Sequence, residues 1–188
     1  MALQESEKKA LLKIARETIE NHIRNGHIPS FSAGGGLLEK RGAFVTIKKD
    51  GNLRGCIGIF NSEKTLYRTV SEMAISSATQ DPRFPPLPAQ ELPAITIEIS
   101  ALTPLKKISD VNEIEIGRHG VYIIKGLRRG VLLPQVATEY GFDRDTFLDQ
   151  TCLKAGLSPG CWRMGAEIHI FEAEIFSEKD WAGFSTGL

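Results

Sequence analysis

Leu53-Arg54-Gly55-Cys56-Ile57-Gly58 sets a guanidinium and a thiol two residues apart, between glycines. A thiol becomes a useful nucleophile only as thiolate, and a neighbouring cation favours that form. In a strand, residues i and i+2 share a face, so Arg54 and Cys56 can be neighbours without tertiary help. Gly55 and Gly58 carry no side chain, which lets a ligand or another backbone approach closely. Read for chemistry, Cys56 is a nucleophile or covalent anchor and Arg54 its activator or an anion clamp. Free cysteine is also among the most buried residue types, strand glycines often mark bulges, and Arg54 can simply pair with a carboxylate. The six residues alone leave both readings open.

A catalytic cysteine needs a base. The four histidines, His22, His27, His119 and His169, are not tied to Cys56 by the sequence. Glu98 is a carboxylate in an otherwise apolar run, AITIEISAL. A buried charge needs a partner, and Arg54 is the candidate. Arg83, among the prolines of Asp81-Pro82-Arg83-Phe84-Pro85-Pro86, is a second charged group on a stiff segment, with a structural ion pair as its plain reading. Cys152 lies at helical spacing with Phe147, Leu148 and Ala155, a core pattern, so Cys152 and Cys161 read as inert. Three cysteines, odd and sparse, argue against a disulfide framework and fit a reducing compartment. No CxxC pair and no CxxxCxxC run occurs, so neither a structural zinc site nor a radical-type iron–sulfur cluster is expected.

These side chains need elements to hold them. GAFVTIKK, Asp50-Gly51 and NLRGCIGIF read as a hairpin, because Asp-Gly between alternating apolar runs favours a tight turn. A two-residue loop pairs Lys49 with Asn52, Ile47 with Arg54 and Val45 with Cys56, placing Cys56 on the face of Val45 and Ile47. A bulge would shift this register by one residue and swap the faces. Upstream, Leu11, Ile14, Ile19 and Ile23 recur at helical spacing over residues 6–25, with Ser6 as cap and Gly26 as stop. The Gly34-Gly35-Gly36 stretch reads as a flexible loop; no Lys-Ser/Thr follows it, so it is not a phosphate loop. A second helix spans 62–80, capped by Asn61 or Ser62, with Leu66, Val70, Met73, Ala74 and Ala78 inward. Ile95, Ile97, Ile99 and Ala101 share one face of a strand over 94–102. Further on come a polar connection over 105–119, a second hairpin about Leu127-Arg128-Arg129, helices over 135–140 and 144–155, and one long strand over 166–178. The last ten residues read as loosely held. Interspersed helices and hairpins without a βαβ repeat indicate an α+β fold.

Composition narrows the function classes. The chain has 188 residues, 41% hydrophobic and 24% charged, with 23 basic and 23 acidic side chains. A sequence-independent nucleic-acid binder carries a basic surplus, and none exists here. Arg118, His119, Lys125, Arg128 and Arg129 could still cluster at one hairpin end, but nucleic acid is not the expected partner. No apolar run reaches the roughly 18 residues of a membrane span. The amphipathic start MALQESEKKALLKIARE is not a signal peptide, so a cytoplasmic location is the default expectation.

With those residues in view, LRGCIG resembles the signature of the AMMECR-domain family, whose prokaryotic members are called AmmeMemoRadiSam system protein A. Asp81-Pro82-Arg83-Phe84-Pro85-Pro86-Leu87 and Glu98-Ile99-Ser100-Ala101-Leu102-Thr103-Pro104 resemble its next segments. Ile116-Gly117-Arg118-His119-Gly120-Val121, Leu132-Leu133-Pro134-Gln135-Val136-Ala137 and Cys152-Leu153-Lys154-Ala155-Gly156-Leu157 follow in order. The resemblance implies one family domain over 1–188, with a larger lobe built on an antiparallel sheet flanked by helices and a smaller lobe beside it. It implies a site along Leu53, Arg54, Gly55, Cys56, Ile57 and Gly58, with Asp81, Arg83 and Phe84 as a wall, in a cleft between lobes. It carries over no cofactor, no settled activity and no oligomeric state. The family name implies linkage with a Memo-like protein and a radical S-adenosylmethionine protein. Three functional readings follow: a cysteine-centred site for a small molecule, using Cys56, Arg54 and Glu98; a non-catalytic interaction partner in that pathway; or, as the least favoured, a nucleic-acid-associated protein.

Overall fold

The computed structural model describes residues 2–181. In chain order its regular elements are α1 (Glu5–Asn25), β1 (Ala43–Lys49), β2 (Asn52–Ile59), α2 (Leu66–Thr79), β3 (Ile95–Leu102), β4 (Lys106–Ile108), β5 (Gly120–Lys125), β6 (Arg128–Leu132), α3 (Pro134–Glu139), α4 (Arg144–Lys154), β7 (Glu167–Phe171) and β8 (Ala173–Ser177). The fold is α+β with two four-stranded sheets, ordered β2-β1-β3-β8 and β4-β7-β5-β6. Two compact units result: one comprises the chain up to Leu102 together with the chain from Glu174 on, the other Thr103–Ala173.

In the first unit, alternation along β1 and the first half of β3 buries Ala43, Val45, Ile47, Ile95, Ile97 and Ile99, and Ala101 is buried with them. Leu11, Leu12, Ala15 and Ile19 of α1 and Leu66, Val70 and Ala74 of α2 complete that core. The opposite face of β1 and β3 presents half-buried Phe44, Thr46, Lys48, Thr96 and Glu98. Helix α1 begins one residue before the expected span, because Glu7 reaches back to accept the Gln4 N–H at 2.9 Å. It stops at Gly26, whose left-handed φ of 66° lets its N–H return to His22 O. Helix α2 begins at Leu66, four residues later than the sequence suggests. Ser62 instead closes a turn, accepting from the Lys64 N–H at 3.1 Å and the Thr69 hydroxyl at 2.8 Å. The triple-glycine stretch is not a loose loop. Gly35–Leu38 form a 3-10 turn, and Gly36 N–H donates to Glu7 Oε1 at 2.7 Å.

In the second unit, Val121, Ile123, Ile168 and Ile170 pack against Phe147 and Leu148 of α4. The turn of the β5–β6 hairpin lies at Gly126-Leu127, since Lys125 already pairs with Arg128. The expected single strand over 166–178 is two strands in different sheets, β7 and β8, separated by Glu172. Cys152 and Cys161 are not free thiols. They form a disulfide with S–S 2.00 Å, which ties α4 to the Cys161–Arg163 turn. The bond corrects the expectation of no disulfide and removes the cysteine count as an argument for a reducing compartment. Among the described residues no helix is long and apolar enough to cross a membrane. The expectation of a loose C-terminal end falls largely on residues 182–188, outside the described residues; Glu178–Asp180 form a 3-10 turn.

Candidate functional site

The hairpin begins as the two-residue loop requires. Asp50 and Gly51 take φ of 52° and 81°, and Lys49 faces Asn52 while Lys48 faces Leu53. A bulge then intervenes: Ile47 faces Gly55, Thr46 faces Cys56 and Val45 faces Ile57, leaving Arg54 as the extra residue. The expected pairs Ile47–Arg54 and Val45–Cys56 are therefore corrected by one residue, and Cys56 joins the face of Thr46 rather than that of Val45. Helix α2 supplies the physical reason. Gly55 is buried under the Ser77 carbonyl, so close that no Cβ would fit. The Ser77 hydroxyl enters the ladder, accepting from Ile57 N–H at 2.8 Å and donating to Val45 O at 2.7 Å. The bare backbone at Gly55 thus receives a helix, and the space at Gly58 is filled by the Phe44 ring.

Cys56 is half-buried. Its sulfur accepts from Thr46 Oγ1 at 3.3 Å. Its outward backbone edge is held by side chains in place of a neighbouring strand: Cys56 N–H donates to Asp81 Oδ2 at 2.8 Å, and Arg83 Nη2 donates to Cys56 O at 3.4 Å. Arg83 and Asp81 form a fork, with Nε to Oδ1 at 2.9 Å and Nη2 to Oδ2 at 2.7 Å. The Asp81 side chain is 2% exposed and that of Arg83 54%. The Arg83 hydrogen bond holds the Asp81 carboxyl well below the ordinary carboxylate range, outweighing the opposite effect of burial. The Asp81 hydrogen bond in turn raises the Arg83 pKa.

Arg54 turns to another cluster. Its Nε donates to Glu91 Oε2 at 2.8 Å and its Nη1 to Pro85 O at 2.9 Å. That bond lowers the Glu91 pKa, with Lys49 adding to the effect from 3.5 Å. The Phe84 ring lies 6.0 Å from the Arg54 guanidinium and 5.5 Å from that of Arg83. Glu98 pairs with Lys48 at 2.8 Å, not with Arg54. It nevertheless stands on the same rung as Cys56, since Thr46 faces Cys56 on one side and Glu98 on the other. Cys56, Asp81, Arg83 and Glu98 are thus brought together on or beside one sheet face. Arg54 and Phe84 form an adjoining cluster, Leu53 is exposed at the hairpin, and Gly55, Ile57 and Gly58 serve packing and the ladder. Sequence reasoning missed Thr46 as the neighbour of the thiol and Lys48 as the partner of Glu98, although both sit on the polar half of an alternating strand. Ser77 and Glu91 gave no local signal.

Among the described residues, the structure does not bring a histidine into hydrogen-bond contact with the thiol. His22 Nδ1 and His169 Nδ1 are buried without a hydrogen-bond partner, and burial pushes the His169 pKa down. His119 Nδ1 accepts the Glu115 N–H at 3.0 Å. The imagined basic cluster also divides. Arg118 is tied to Glu115 and Glu172 ahead of β5, whereas Lys125, Arg128 and Arg129 lie at the hairpin turn. Among the described residues no group of three or more metal-ligating side chains is placed to hold an ion.

Comparison with known proteins places this arrangement in context. The family model described as AMMECR1 matches residues 12–176. A protein of Methanosarcina acetivorans is 43% identical over 188 residues, covering 95% of this chain and 94% of its own. One from Methanocaldococcus jannaschii is 44% identical over 178 residues, covering 90% and 89%. The crystal structure of an uncharacterised Pyrococcus horikoshii protein matches with a TM-score of 0.82 at 37% identity, covering 94% of each chain.

Proposed function

The chain belongs to the AMMECR1 family, and from the arrangement about its LRGCIG stretch we propose that Cys56 is the centre of a small-molecule site. The thiol is the nucleophile or covalent anchor. Arg83, braced by Asp81, replaces Arg54 as the cation beside it, and the Lys48–Glu98 pair is the acid–base couple on the same face. One observation carries the reading: a half-buried thiol, oriented by Thr46, whose own backbone is clamped by a partly exposed guanidinium. Arg83 Nη1 has no acceptor among the described residues, so it is free to meet an anionic group. The family match runs through both compact units, so we take residues 1–188 as one family domain. A pathway shared with Memo-like and radical S-adenosylmethionine proteins belongs to the same proposal.

The test uses two alkylating agents of different charge. Cys56 is the free thiol of the oxidised protein, so modification by iodoacetate or iodoacetamide reports on it alone. We expect the iodoacetate-to-iodoacetamide rate ratio to exceed that of a free thiol such as glutathione, and to fall at least about threefold in Arg83→Met. A ratio equal to the free thiol's and indifferent to Arg83 would end the reading.

A further inference from the structure

A hollow of about 300 Å³ lies between α2 and the chain that follows α1, and shares no lining residue with the surroundings of Cys56. Ile28, Phe31 and Ile75 give it apolar walls, and Ser30 and Ser71 also line it, the Ser71 hydroxyl already engaged with that of Thr18. Ile28 is 51% exposed, an apolar side chain left without a protein cover. At the rim stands Arg68. Its Nε donates to the Tyr67 hydroxyl at 3.0 Å, and its guanidinium carbon lies 5.8 Å from the Tyr67 ring centroid. These contacts hold one edge of the guanidinium and leave its two terminal nitrogens without an acceptor among the described residues. The nearby carboxylate, Glu72, is already engaged by Lys64 at 2.5 Å. Counting Arg68, Glu72 and Lys64 together, one positive charge remains uncompensated.

A guanidinium fork matches the two oxygens of a carboxylate, and fixing it beforehand lowers the ordering cost of binding. We propose that this hollow binds a small apolar carboxylate, with its oxygens on the terminal nitrogens of Arg68 and its hydrocarbon against Phe31, Ile28 and Ile75. The volume lies at the lower end for ligand pockets, so the hydrocarbon is one ring or a short branched chain. A dianion without an apolar part would find one cation and unused apolar walls.

The experiment titrates 3-phenylpropionate into the full chain and follows backbone amide shifts by NMR. The parallel arms are the neutral isostere 3-phenylpropionamide and inorganic phosphate. Saturable shifts confined to residues 28–31 and 67–75 are expected, with the amide and phosphate each at least about tenfold weaker. Arg68 is exposed, so Arg68→Met is expected to fold and to weaken the carboxylate by the same factor. Arg68→Lys, which keeps the charge without the fork, is expected to fall between. Glu72→Gln is expected to hold or tighten binding. Shifts centred elsewhere, equal affinity for acid and amide, phosphate binding as tightly as the carboxylate, or an unchanged affinity in both Arg68 variants would each overturn the proposal.

Discussion

Gly55 and Asp81 carry most of what positions Cys56. A methyl group at Gly55 would fall well inside contact with the Ser77 carbonyl oxygen, and both partners are backbone, which yields poorly. Gly55→Ala is therefore expected to cost about 1–3 kcal/mol, read as a lowered urea midpoint with unchanged slope. A variant as stable as the parent would mean that α2 does not need the bare backbone. Asp81 contributes differently. Its folded pKa lies below its unfolded value of about 3.9, so its stabilisation is full above that pH and is lost as the pH falls toward the folded value. The stability gap between the parent and Asp81→Asn should accordingly hold from about pH 7 to about pH 5 and shrink from there to about pH 3. A gap that stays constant across that range would assign the residue a neutral hydrogen-bonding role.

At the scale of elements, β2 is shaped by α2 as much as by β1. The Ser77 hydroxyl replaces a ladder contact between Val45 and Ile57, and the bulge at Arg54 lies three residues away. Together they turn the thiol away from the helices and toward Thr46, on the sheet face that also carries Glu98. Helix α4 is restrained by its own cross-links. Asp149 accepts from Gly160 N–H at 2.7 Å and from Trp162 Nε1 at 2.8 Å, and the Cys152–Cys161 disulfide closes a loop of sequence separation 9. Reduction breaks only that bond, so it should lower stability by about 2–3 kcal/mol. An unchanged urea midpoint after verified reduction would show that the Asp149 bonds and the packing of α4 already suffice.

Across the whole molecule, apolar periodicity and turn residues made much of the fold legible before any coordinates. The α+β class, α1, the first hairpin, β3 and the pairing of β5 with β6 all follow from apolar periodicity and turn residues, which act over a few neighbours along the chain. The residue types at the candidate site were legible too: Cys56, Arg83 and Glu98 were named from their chemistry, and Asp81 from the family resemblance. Their partners were not. Arg54 found Glu91, 37 positions away; Glu98 found Lys48, 50 positions away; and Cys152 found Cys161, which no local pattern announced. The sequence by itself determined which segments become strands and helices, because that depends on side-chain spacing and backbone preference within each segment. Only the tertiary structure decided which face Cys56 occupies and which cation stands beside it. Both turn on a single-residue shift in register, and that shift is imposed by a helix seated against Gly55 from more than twenty residues away.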